Sequence, residues 1–250
     1  MGATARFGRG DVQWLTAGKG IVHAEMFSLL NTDVGNPLEL FQIWLNLPAA
    51  NKMAAPHFTM FWADAIPHQI TQDANGLETA VSVIAAQLQS VQALPPSPDS
   101  WAASVQSDLA IWTLRMQPGA RFTLPSANSG ANSGTGRTLY FFKGVSVAID
   151  GQQVSAQNAI ELRADQAVAL INGDAPAEFL LLQGKPIAEP VAQYGPFVMN
   201  TRAEIEQTIA EYRLTQFGGW PWLQGGPQSA PDHARTHGRD PRRFALHLLF

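Results

Sequence analysis

RTLYFFKGVSVAIDGQQV (137–154) decides how this chain is read. Two turn signals, Lys143-Gly144 and Asp150-Gly151, cut it into three short runs. Glycine supplies the left-handed backbone that tight turns require. The runs between are rich in aromatic and β-branched residues and too short for helices, so they read as strands. The same pattern extends outward. DLAIWTLRMQPGARFTL (108–124) is a strand, a turn at Pro118-Gly119 and a second strand. AIELRADQAVALINGDAPAEFLLLQGKP (159–186) continues it, with breaks at Ala164-Asp165 and Asn172-Gly173-Asp174. SANSGANSGTG (126–136) is a polar loop. Short strands at this regular spacing predict an all-β sandwich or small barrel.

Further toward the N-terminus, LELFQIWLNL (38–47), HFTMFWA (57–63) and TAVSVIAAQ (79–87) also have strand length. QALPPSPDSWAAS (92–104) is rich in Pro and Ser and reads as a linker or long loop. One helix is predicted, over about 202–215. Thr201 caps it, Glu204 completes a capping box, and Ile205, Ile209 and Tyr212 mark one face. Gly218-Gly219 ends that region. The remainder mixes Pro, Gly and Arg and reads as loose, with FALHLLF (244–250) forming a short terminal helix.

Composition limits the function. A chain of 250 residues, 46% apolar, can bury one large core or two modest ones. The formal charge of -4 and pI near 5.8 argue against a polynucleotide as the primary partner. Cysteine is absent, which excludes disulfides, thiolate metal sites and Cys nucleophiles. No apolar run is long enough, at about 18 residues, to cross a membrane as a helix. No nucleotide-binding loop, H-E-x-x-H or G-x-S-x-G motif occurs. A cytoplasmic protein is the expectation.

GDVQWLTAGKGIVHAEM (10–26) carries His23 and Glu25 in an H-x-E pattern. On a strand, both side chains project from one face. An imidazole nitrogen beside a carboxylate suits Fe, Mn, Co, Ni or Zn. Gly18 and Gly20 would turn the chain into that strand. Taken alone, the same pair also describes a hydrogen-bonded surface couple.

The surrounding words narrow the choice. GDVQWLTAGKGIVHAEM resembles the second metal-bearing segment of the pirin family, within the cupin superfamily. LFQIWLNLP (40–48), PHFTMFW (56–62), RTLYFFKG (137–144) and AQYGPFVMNTRAEIEQ (192–207) are similar to that family as well. The resemblance runs from about residue 8 to about residue 222. It implies two stacked cupin-type β-barrels, the first binding a metal, commonly iron, through three His and one Glu. The last two ligands fall on His23 and Glu25. The first two come, in the family, from an H-x-H-R-G segment that this sequence lacks. His57, His68, His233, His237 and His247 all lie outside such a context.

The implied organisation is a truncated first barrel over 1–104, a second barrel over 105–190, and a C-terminal segment over 191–250. A truncated barrel exposes strand edges. Three readings follow: a natural start further upstream, a remnant without metal chemistry, or replacement of the missing elements by dimerisation or by the tail. His233 and His237 would offer two nitrogens only if the tail were helical. No His lies between residues 69 and 232, so the second barrel holds no His-rich site.

The activity implied by the resemblance is a metal-dependent flavonol dioxygenase of the quercetin 2,3-dioxygenase type. Glu25 would serve as ligand and as acceptor of the flavonol hydroxyl proton, with Fe or another divalent transition metal as cofactor. The implied partner is a small aromatic, flavonol-like substrate. The alternatives are a non-enzymatic protein-interaction or regulatory module, self-associating through exposed edges or holding a protein partner, and an inactive remnant. Gln13 and His57 are candidates for orienting a ligand. Trp14, Phe27, Phe41, Trp44, Phe58 and Trp62 read as barrel core or as pocket wall. Arg115, Arg121 and Arg137 are too scattered for a phosphate grip. Glu178 and Glu189 read as isolated and solvated.

Overall fold

The computed structural model describes residues 5, 8–25, 31–127 and 134–219, together with the backbone of 243–249. The strands are β1 (Asp11–Thr16), β2 (Leu38–Trp44), β3 (His57–Phe61), β4 (His68–Gln72), β5 (Glu78–Ala85), β6 (Gln87–Leu88), β7 (Val91–Gln92), β8 (Ala110–Met116) and β9 (Arg121–Leu124). Then follow β10 (Gly136–Lys143), β11 (Ser146–Ile149), β12 (Gln152–Ser155), β13 (Asn158–Glu161), β14 (Val168–Asn172), β15 (Ala177–Gly184), β16 (Ala192–Tyr194) and β17 (Phe197–Met199). The helix α1 (Arg202–Thr215) and β18 (Arg243–Leu249) complete the order.

These elements form two compact units, each discontinuous in sequence. The first comprises residues 1–63, 97–101 and 187–250, and the second 64–96 and 102–186. A linear division at residue 104 does not follow these boundaries. The reason is pairing: β4 and β5 continue the sheet of β8, with Ala80 opposite Arg115 and Val81 opposite Leu114.

The second unit is two sheets around one core. One runs β13-β10-β15-β8-β5-β4, the other β12-β11-β14-β9. The turns at Pro118-Gly119 and Asp150-Gly151 fall between strands, as the sequence predicts, and Gly144 directly follows Lys143, the last residue of β10. Alternate residues of β10, namely Arg137, Leu139 and Phe141, face inward, the pattern of a half-buried strand. Phe141 stacks on Phe179 with ring centroids 4.6 Å apart. Trp112, Leu124, Leu139 and Leu170 join them from both sheets. Each such side chain contributes about 1.5–3 kcal/mol of burial.

The first unit holds the mixed sheet β2-β18-β1-β3. Residues Val12 to Thr16 are all buried, so both faces of β1 are covered. Trp14 packs on Phe61 with centroids 5.7 Å apart. The tail departs from expectation here. FALHLLF is not a helix: β18 runs parallel between β1 and β2, from Asp11 opposite Ala245 to Leu15 opposite Leu249, and from Leu38 opposite Arg243 to Trp44 opposite Leu249. Two strands with open edges reward a third that satisfies both sets of backbone groups, and a helix would satisfy neither. Segment 220–242, read as loose and carrying His233 and His237, lies outside the described residues.

The helix agrees with its sequence signal. The Thr201 hydroxyl accepts from Glu204 N at 3.2 Å, and the Glu204 carboxylate accepts from Thr201 N at 2.7 Å. Ile205 is buried beneath it, and Tyr212 packs near Phe197 and Phe217.

Candidate functional site

β1 delivers the chain to a tight turn at Ala17–Gly20, where Gly20 N donates to Ala17 O at 2.9 Å. Gly18 has φ +51, and a Cβ there would lie 2.1 Å from Ala54 O. Lys19 N donates to that same oxygen at 3.0 Å. Gly20 has φ +123, and a Cβ there would meet the Phe217 ring at 2.7 Å. The turn is thus seated against the backbone after the β2 region and against the end of the C-terminal helix. Only glycine fits both positions.

His23 and Glu25 follow directly. Residues 21–25 form no strand, contrary to the expectation of an H-x-E on one strand face. The reason lies in the turn: the backbone of Lys19 and Gly20 is already bonded to Ala54 and Ala17, and no described strand receives the next residues. His23 is exposed and Glu25 half-buried. Among the described residues no group of three or more His, Cys, Asp or Glu side chains stands together as a metal cage. The H-x-E segment itself supplies two donor types, an imidazole and a carboxylate. That suits the chemistry of a divalent transition metal but does not fill its coordination.

The other candidates separate. His57 opens β3, and its Nδ1 lies 2.8 Å from the buried Ser97 hydroxyl. Gln13 is buried on β1, in register with Met60 on one side and His247 on the other. Trp14 belongs to the core, Phe41 and Phe58 are half-buried, and Trp44 and Trp62 are 51% and 43% exposed. Those two indoles are not core, and Phe27 lies outside the described residues.

Two carboxylates expected in solvent are engaged instead. Glu178 is buried on β15, 3.0 Å from Lys143 Nζ and 3.5 Å from Arg115 Nε. Glu189 accepts from Ala49 N at 2.6 Å and from Asn200 Nδ2 at 3.0 Å. Cross-strand and long-range partners give neither glutamate a local sequence signal.

Glu189 belongs to a polar lock in the first unit. Buried Lys52 donates to Asn46 Oδ1. Burial pushes the Lys52 ammonium below its ordinary range, against the pull of Glu189 and Glu204. Glu204 is held below the usual carboxylate range by hydrogen bonds from the Thr201 side chain and backbone. A lone lysine inside LPAANKMAA (47–55) was the only hint of this lock.

Comparison with known proteins identifies the family. The Pirin family model matches residues 1–45, and the pirin C-terminal cupin domain model matches residues 111–218. A Pseudomonas aeruginosa protein named "Putative quercetin 2,3-dioxygenase" is 33% identical over 219 residues, covering 86% of this chain and 70% of that one. The chain belongs to the pirin family. Human pirin is 29% identical over 221 residues, covering 87% of this chain and 68% of its own. Among solved structures, quercetin 2,3-dioxygenase from Acinetobacter baumannii aligns with a TM-score of 0.54 at 27% identity, over 69% of this chain and 55% of that chain. The all-β cupin class is thereby shown. The chain spans about half the length of that solved dioxygenase.

Proposed function

We propose that this pirin-type cupin acts in the flavonol dioxygenase class, on a small aromatic substrate, with His23 and Glu25 as half of a transition-metal site. The supporting observation is that the segment carrying these two donors follows directly on a turn that only Gly18 and Gly20 permit, within residues matched by the Pirin family model. Iron is the metal expected from the family resemblance. When bound, such a metal would supply Lewis-acid and oxygen chemistry. The described residues do not complete its coordination. Activity in this chain is therefore expected to be weak.

The test is quercetin loss under air with added Fe(II), followed by absorbance and by oxygen uptake. The expected result is a slow, metal-dependent loss that falls to background in His23→Ala. Equal rates in both proteins would overturn the dioxygenase reading. A second reading, a non-enzymatic interaction module, is favoured by the same incomplete donor set.

A further inference from the structure

Away from the H-x-E turn, the first unit carries a groove of about 540 Å³ between the β16–β17 hairpin and α1. Its floor is apolar: Ala192, Ile205 and Ile209. Its rim carries Arg202 and Arg213, both exposed and neither in an ion pair with a described residue. At the rise of an α-helix the two arginines stand about 16 Å apart along the axis. Glu206 also lines the groove, and Tyr194 beside it is 67% exposed. β16 pairs only with β17, so its other edge has no strand partner among the described residues.

We propose that this groove docks an extended segment of a partner protein, apolar in its centre and acidic at both ends. Each feature selects a part of that occupant. The open edge of β16 offers backbone donors and acceptors to an added strand. The isoleucine floor takes apolar side chains. The two arginines pair with carboxylates at either end, and Glu206 disfavours a carboxylate between them. An extended chain covers 16 Å in about five residues. This chain's own segment 220–242 is a poor fit, because it brings Arg235, Arg239 and Arg242 against only Asp232 and Asp240.

The probe is a fluorescent peptide of about seven residues with Glu at each end and Leu and Val between. Its counterpart has Lys at each end. Binding by anisotropy at low salt is expected for the Glu-ended peptide only. Arg202→Glu/Arg213→Glu should weaken that binding at least tenfold and admit the Lys-ended peptide. Circular dichroism of the double variant checks that the helix persists. If it does not, the Arg202→Gln/Arg213→Gln variant takes its place, with the same tenfold loss expected. Equal binding of both peptides, binding of neither, or a dimer of this chain that the arginine variants dissociate would each overturn the proposal.

Discussion

Arg137 shows what a single residue can reveal. It faces inward on β10, opposite Gln183 on β15, and is only 3% exposed. Its three guanidinium nitrogens are buried without a hydrogen-bond partner among the described residues. Burial pulls its pKa down to about 10, against the attraction of Asp108. An unmet buried donor carries a penalty of about 1–3 kcal/mol. Arg137→Met keeps most of the volume and removes the charge, so its urea midpoint should rise by the equivalent of about 1–3 kcal/mol. The sign with pH follows from the lowered pKa. Above pH 10 the unfolded chain holds the proton more tightly than the folded one, so this residue's contribution to stability rises with pH there. That rise should be present in the parent and missing from Arg137→Met. A lower midpoint in the variant would show that the guanidinium is satisfied. In the sequence Arg137 is one of several scattered arginines, because inward placement near the start of a strand depends on the register with β15.

Elements behaved according to how local their signals are. The inter-strand turns of the second unit, of which Asp150-Gly151 closes the β11–β12 hairpin, and the α1 capping box are encoded within a few residues, and they stand where their local signals place them. β18 and the H-x-E segment depend on distant partners, and both differ from the local reading. Strand formation by Arg243–Leu249 follows from the edges of β1 and β2, more than 190 residues earlier in the chain. Two substitutions test the element scale. Thr201→Ala removes the side-chain cap and should lower stability by about 1 kcal/mol. Glu204, with its pKa lowered in the folded state, adds stability that is present above the ordinary carboxylate pKa and lost as pH falls through the folded value. Thermal melts between pH 3 and 6 should show a shallower dependence in Thr201→Ala than in the parent. Gly18→Ala brings a Cβ against Ala54 O and strains a left-handed residue, so it should cost about 1–3 kcal/mol. An unchanged melting temperature would refute the seated turn.

At the scale of the whole molecule, the second unit has a continuous core, whereas the central sheet of the first unit depends on a strand from the far end of the chain. Deleting residues 243–250 should therefore affect the units unequally. Hydrogen exchange by mass spectrometry should show β1 and β2 losing protection, while β10 and β15 keep theirs. Equal loss in both would mean that the units do not unfold separately. The family and the all-β class were legible because short local motifs carry them. The candidate site was legible only as two residue types at a fixed spacing, because the turn that precedes them is set by Ala54 and Phe217 from elsewhere in the first unit.

The most direct test of the account is metal titration of the parent beside a His23→Ala, Glu25→Ala double variant. Anaerobic Fe(II), or Co(II) as a spectroscopic substitute, would be followed by calorimetry and absorbance. One ion per parent chain is expected, bound weakly, with a Co(II) spectrum showing nitrogen and oxygen donors, and no binding in the variant. Identical titrations for the two proteins, or no binding in either, would contradict the assignment of His23 and Glu25 as the metal-bearing half-site.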